Sequence, residues 1–188
     1  MRNLIMFGRS PFVNTVDVAA LHYRYETLGF NHFGKKHPVD YLFSLNEYIE
    51  PISPRTRVFG HYEHDSPVGV KKIAYSADTG PCLVPEYKNG FRCYAWYSFS
   101  PTAALDWAIA EGFDQVFLVG IDHVETDKRF EHNDGIDDHR GQNMIPELHQ
   151  RMKSFVYACA QHMEIFQCNP AVKDQWKLPY RSVEDLLS

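Results

Sequence analysis

Cysteine is scarce, and the four present (Cys82, Cys93, Cys159 and Cys168) form no C-x-x-C pair. That spacing excludes a zinc knuckle and gives no sign of a disulfide framework. Long apolar runs are missing too: none approaches the ~18 residues that a spanning helix requires. Positive charge is in deficit, with 19 Lys and Arg against 24 Asp and Glu, a formal net charge of −5. The chain as a whole therefore has no electrostatic attraction for nucleic-acid phosphates, and no nucleic-acid partner is expected. There is no internal repeat and no low-complexity tract. The opening residues, MRNLIMFGRSPF, hold an apolar core too short for a signal peptide and meet Arg9 and Pro11 at once. A reducing, cytoplasmic setting is the expectation. What is present is an ordinary globular balance, 44% apolar and 14% aromatic over 188 residues. That is enough for one three-layer domain spanning 1–188.

The most informative stretch is Ser100 to Asp122, SPTAALDWAIAEGFDQVFLVGID. Ser100 can cap a helix and Pro101 fits its first turn, where the missing N–H has no partner anyway. Ala104, Leu105, Ala108 and Ile109 recur on one face, and Gly112 stands where a helix ends. Val116 to Val119 is a short unbroken apolar run, which reads as a strand covered on both faces. Gly120 then lets the chain turn. Asp122 lands at the strand's carboxyl end, where ligands sit in open α/β sheets, although a turn-making carboxylate would look the same.

Elsewhere the same alternation recurs. Leu4 to Phe7 reads as a strand running into Gly8-Arg9-Ser10-Pro11, with a helix capped by Asn14 or Thr15 and continuing through Val18 and Leu21. Such a turn can offer backbone N–H groups to an anion, or serve only as a tight connector. Thr27–Phe30 and Val39–Leu45 read as strands ending at Asn31 and Asn46. An amide there offers both donor and acceptor to a base or ribose, but asparagine is also a favoured turn residue. β-like pieces follow at Arg57–Tyr62, Lys71–Tyr75 and Phe91–Tyr97, in no order that the sequence reveals. Tyr94, Trp96, Tyr97 and Phe99 read as sheet packing rather than a base-stacking platform. After Asp122 comes a polar lid-like loop, about 123–142, with His123, His132 and His139 among several aspartates. A helix from Met144 to Cys159, a strand Glu164–Gln167, the segment Cys168-Asn169-Pro170 and a capped helix Ser182–Leu187 complete the chain. Strands alternating with helices predict an α/β, doubly wound, mostly parallel sheet.

In order, these motifs resemble the bacterial sialyltransferases of the Campylobacter type and the pterin-pyrophosphokinase-like proteins that share their Rossmann-like domain. The likeness rests on Gly8-Arg9-Ser10-Pro11-Phe12 for a G-x-G-P-S turn, Phe30-Asn31-His32-Phe33, and Ser44-Leu45-Asn46. It continues in Ser100 before a small-residue helix, Gly112, Gly120-Ile121-Asp122 and Cys168-Asn169-Pro170. The resemblance implies a nucleotide pocket lined by Gly8, Ser10, Asn31, Asn46, Ser100 and Asp122, holding a CMP-sugar donor whose sugar passes to an acceptor hydroxyl. It also implies a loop histidine as general base. His139 fits that place, with Asp137 or Asp138 to fix its tautomer, while a solvated loop histidine is the plain alternative. The chain departs from the pattern at Ser10 and Phe12 and in having no tyrosine between Tyr97 and Tyr157. No cofactor is expected on this reading. Two alternatives stand beside it. One is metal-assisted phosphoryl transfer, with Asp122, Asp134, Asp137 and Asp138 around Mg²⁺ or the loop histidines around zinc. The other is a nucleotide-binding module without catalysis. Whether copies of the chain assemble is left open by the sequence.

Overall fold

The structure is a computed structural model and describes residues 1–44, 51–60, 100–122 and 146–188. Among these residues six strands form one sheet: β1 (Asn3–Phe7), β2 (Glu26–Phe30), β3 (Tyr41–Ser44), β4 (Arg57–Gly60), β5 (Gln115–Val119) and β6 (Glu164–Gln167). Their spatial order is β4-β3-β2-β1-β5-β6, and every neighbouring pair is parallel. The α/β, Rossmann-like sheet expected from the sequence is thus the observed one, parallel throughout. The chain winds from β1 out to β4 and then returns to the other side of β1 to make β5 and β6. The order therefore reverses between β1 and β5, which opens a crevice at their carboxyl ends.

Both faces are buried. On one, Leu4 and Met6 of β1, Leu28 and Phe30 of β2 and Val116 and Leu118 of β5 pack under α3 (Ser100–Ala110) and α4 (Pro146–Cys159). On the other, Ile5, Phe7, Phe117 and Val119 meet α1 (Val18–Arg24), Phe33 of α2 (Phe33–Lys36) and α5 (Val183–Leu187). The alternation of side chains along a strand makes both cores from the same apolar runs. Phe33 stacks on Phe7 with ring centroids 5.2 Å apart, and the Tyr25 hydroxyl donates to the Leu186 carbonyl at 3.0 Å. The C-terminal helix is thereby docked on the body, as its sequence predicted.

Several boundaries differ from the expectation. The β1 turn leads into a 3-10 turn, Pro11–Thr15, and α1 is capped by Asp17, whose carboxylate accepts from Ala20 N at 3.0 Å. Asn14 and Thr15 fall inside the 3-10 turn because Pro11 and the Ser10 cap start a helical turn earlier. Ser100 stands at the start of α3 as far as the described residues run, and α3 is buried more widely than a single stripe: Thr102, Asp106 and Trp107 are covered as well. Of the β-like pieces only Arg57–Gly60 is described, as the strand beside β3; Lys71–Tyr75 and Phe91–Tyr97 lie outside the described residues.

The direction of α3 is set at its far end. Gly112, at φ +75°, donates to the Ile109 carbonyl at 3.1 Å, and Phe113 N reaches back to Ala108 O at 3.0 Å. This is a Schellman stop, and its usual apolar contact is present as Trp107 against Phe113, 5.6 Å between centroids. Arg2 Nη1 then donates to the Glu111 carbonyl at 2.7 Å, fixing the end of α3 at the amino edge of the sheet. Eleven residues of helix carry the chain about 16 Å along the sheet. Ser100 therefore stands at the level of the carboxyl edge.

Candidate functional site

The carboxyl edge is built from strand ends stitched to one another. Gly8 N donates to Val119 O at 2.8 Å and Ser10 N to Gly120 O at 3.1 Å, which joins the β1 turn to the end of β5. The approach is so close that a Cβ on Gly8 would lie 2.1 Å from the Gly120 carbonyl oxygen. Gly120 is at φ +73°, so the turn after β5 needs the conformational freedom that its position in the sequence implied. The Ser10 hydroxyl accepts from Phe12 N at 3.2 Å. With Pro11 lacking an N–H, the amides of Gly8, Ser10 and Phe12 are all committed to the turn itself. They are not presented to an anion as a simple glycine-turn reading would have it.

On the other side of β1, Asn31 follows β2 at φ 50°, and its N–H donates to Phe43 O at 3.0 Å, tying the ends of β2 and β3 together. Asparagine tolerates this left-handed conformation better than other side chains, which accounts for its place at the strand end.

Asp122 is the centre of a third group. Asp122 is only 8% exposed, and its Oδ2 accepts from Asn169 Nδ2 at 2.7 Å. Oδ1 has no hydrogen-bond partner among the described residues. The Asp122 carbonyl accepts the Trp176 indole N–H at 2.9 Å. Gln167, wholly buried at the end of β6, donates to Ile121 O at 3.2 Å and accepts from the amides of Cys168 and Asn169 at 2.9 and 3.1 Å. Asn169 Oδ1 takes the amide of Ala171 at 3.0 Å. Burial pushes the Asp122 carboxyl above the usual carboxylate range, and Ser10 and Asn169 pull it partly back. The Ser10 hydroxyl acts on the carboxylate from nearby without supplying a partner for Oδ1.

Gly8, Ser10, Asn31, Ser100 and Asp122 therefore all stand at one edge of the sheet, Ser10 and Asp122 in mutual reach. Asn46 and His139 lie outside the described residues, as do the lid-like loop and Asp134, Asp137 and Asp138. Among the described residues no three His, Cys, Asp or Glu side chains gather in a way that would hold a metal ion. Sequence reasoning passed over Gln167, Asn169 and Trp176 as site residues. The one signal available was the segment Cys168-Asn169-Pro170 after a strand; nothing local marks Gln167 as anything but the last strand residue. Cys168 is buried and its thiol is pushed up to about 12, so it is a packed thiol and not a nucleophile.

No helix among the described residues is long and apolar enough to cross a membrane. The sequence matches no protein-family model and no curated protein. The fold does have solved counterparts. The monofunctional α-2,3-sialyltransferase Cst-I from Campylobacter jejuni superposes with a TM-score of 0.57 at 15% identity, over 95% of this chain and 80% of that one. The sialyltransferase CstII from the same organism, solved with cytidine-5′-monophosphate, gives 0.55 at 11% identity over 97% and 86%. The sialyltransferase CST-II in complex with a trisaccharide acceptor and CMP gives 0.54 at 11% identity, over 100% and 88%. The chain thus has the fold of the Campylobacter jejuni sialyltransferases.

Proposed function

We propose that this chain is a glycosyltransferase of the sialyltransferase type, which binds a CMP-sugar along its carboxyl edge and transfers the sugar to an acceptor hydroxyl. The observation that carries the reading is the reversal of strand order between β1 and β5, with Ser10, Asn31, Ser100 and Asp122 all placed at that edge. Its support from likeness is that solved proteins of this fold hold CMP.

In this reading Asn31 and Asn46 hold the nucleoside. The start of α3 at Ser100 offers its hydroxyl and the positive end of the helix dipole to the phosphate. The acceptor oxygen attacks the anomeric carbon, the bond from that carbon to the phosphate oxygen breaks, and CMP leaves. His139 takes the acceptor's proton. The helix start steadies the charge gathering on the departing phosphate.

The test has two parts. A thermal-shift panel of cytidine, uridine, guanosine and adenosine nucleotides is expected to show the largest stabilisation by cytidine. Incubation with a CMP-sugar and a panel of acceptors is expected to give turnover that falls about 100-fold or more in His139→Ala. Equal turnover in that variant removes His139 from the mechanism. Binding of CMP with no turnover at all makes the chain a nucleotide-binding module.

A further inference from the structure

Two segments on the outer flank of the sheet make a surface of their own. From α2 the chain returns toward the start of β3, and residues 52–56 run beside it toward β4. Ile52 N donates to Gly34 O at 2.7 Å, the Thr56 hydroxyl to Val39 O at 2.6 Å and Arg57 N to Asp40 O at 2.8 Å. The two rows are thus tied side by side at both ends. Phe33, Gly34, Val39 and Thr56 are buried beneath them, while Lys35, Lys36, Pro38, Ile52, Pro54 and Arg55 are exposed.

The sign of this surface is opposite to that of the chain. Described residues 27–44 and 51–60 hold four Lys and Arg against one acidic residue, in a chain whose formal net charge is −5. That acid, Asp40, accepts from the Thr27 amide at 2.8 Å and the Thr27 hydroxyl at 3.1 Å. No carboxylate among the described residues pairs with Lys35 or Arg55. Burial and, after it, the Lys36 charge hold the His37 imidazole below its usual range, and no carboxylate offsets them. Among these cations Ile52 is 59% exposed. A single exposed apolar side chain is ordinary; its setting between two exposed or half-exposed prolines and beside three cations is what asks for a partner. A soluble polyanion would meet the cations but has nothing for the isoleucine. The interface of an anionic bilayer meets both, the cations with its headgroups and the isoleucine at the acyl boundary.

We propose that this flank, with Lys35, Lys36 and Arg55 around Ile52, docks the protein on the surface of an anionic lipid membrane. The contact is peripheral and reversible. Because the remainder of the chain is acidic, the same membrane repels its other faces, and the protein is held in one orientation. Docking of this kind does not depend on what binds at the carboxyl edge.

The experiment is co-sedimentation of the full chain with vesicles of phosphatidylcholine alone and of phosphatidylcholine mixed with phosphatidylglycerol, in low and high salt. The protein is expected to sediment with the mixed vesicles only, and to be released as salt is raised. Replacing two cations together, Lys35→Gln with Arg55→Gln, is expected to lower partitioning about 25-fold, about five-fold for each. Ile52→Ser is expected to lower it several-fold while leaving its salt dependence as it was, which separates insertion from charge. All three side chains are exposed, so the melting curves of the variants should follow that of the parent. Failure to bind mixed vesicles, equal binding to both kinds, or unchanged partitioning in the double variant or in Ile52→Ser overturns the proposal. Binding to heparin in place of the mixed vesicles also overturns it, and makes the flank a site for soluble polyanions.

Discussion

Asn31 carries the one positive φ outside glycine among the described residues, +50°, at the end of β2. Two demands meet at this position, a left-handed backbone and a polar group on the carboxyl edge, and they can be separated. Asn31→Gly keeps the backbone freedom and removes the amide, whereas Asn31→Ala removes the amide and also strains the turn by about 1–2 kcal/mol. Chemical unfolding is expected to rank the two variants with glycine the more stable, while both lose affinity for CMP. Retained CMP affinity in Asn31→Gly would make Asn31 a turn former and nothing more. Residues of this kind were legible in the sequence because a strand end is local information. Asn169 was not: its bond to Asp122 joins positions 47 apart, and no periodicity records such a contact.

Elements were legible where their boundaries have chemistry of their own. The Ser182 capping box and the strand Glu164–Gln167 are where the sequence places them, as is the Gly112 stop of α3. The start of α1 was misplaced because three neighbouring residues, Asn14, Thr15 and Asp17, can all cap, and only packing of the 3-10 turn chooses between them. The α3 stop matters beyond the helix, since it sets where Ser100 lies at the other end. A Cβ at Gly112 would find open space, so Gly112→Ala adds backbone strain without a clash. The expected cost is about 1–2 kcal/mol in chemical unfolding. CMP affinity measured on the folded protein should be nearly unchanged, because Trp107 and Phe113 still pin the helix.

Across the whole molecule the two edges of the sheet do opposite work. The strand order itself could not be read from the sequence, because which β-like piece pairs with which is decided by contacts between distant segments; only the alternation of strands and helices was visible. At the amino edge, Arg2 gives Glu26 two bonds, from Nε at 2.7 Å and Nη2 at 2.8 Å, and its guanidinium lies 3.9 Å from the Phe113 ring centroid. The Tyr41 hydroxyl donates to the same carboxylate at 2.5 Å, so β1, β2, β3 and the turn before β5 are clamped together. Arg2 holds the Glu26 carboxyl below the usual carboxylate range. At the carboxyl edge burial holds Asp122 above it. The signs of their pH dependence therefore differ. Glu26 contributes stability that is complete above its unfolded pKa, near 4.5, and is lost as pH falls through its lower folded value. Asp122 contributes least when charged, so its cost grows as pH rises through the carboxylate range. Unfolding of the parent and Glu26→Gln between pH 3 and 7 is expected to show the parent ahead at pH 7 by about 1 kcal/mol, since both partners keep a third of their surface in solvent. That lead should close as the pH approaches 3. Asp122→Asn should do the reverse, gaining on the parent as pH rises, because stability is given up at the carboxyl edge to keep a carboxylate where a ligand is expected. A parent and Asp122→Asn with parallel pH profiles would mean that this carboxyl is not the strained group its burial implies.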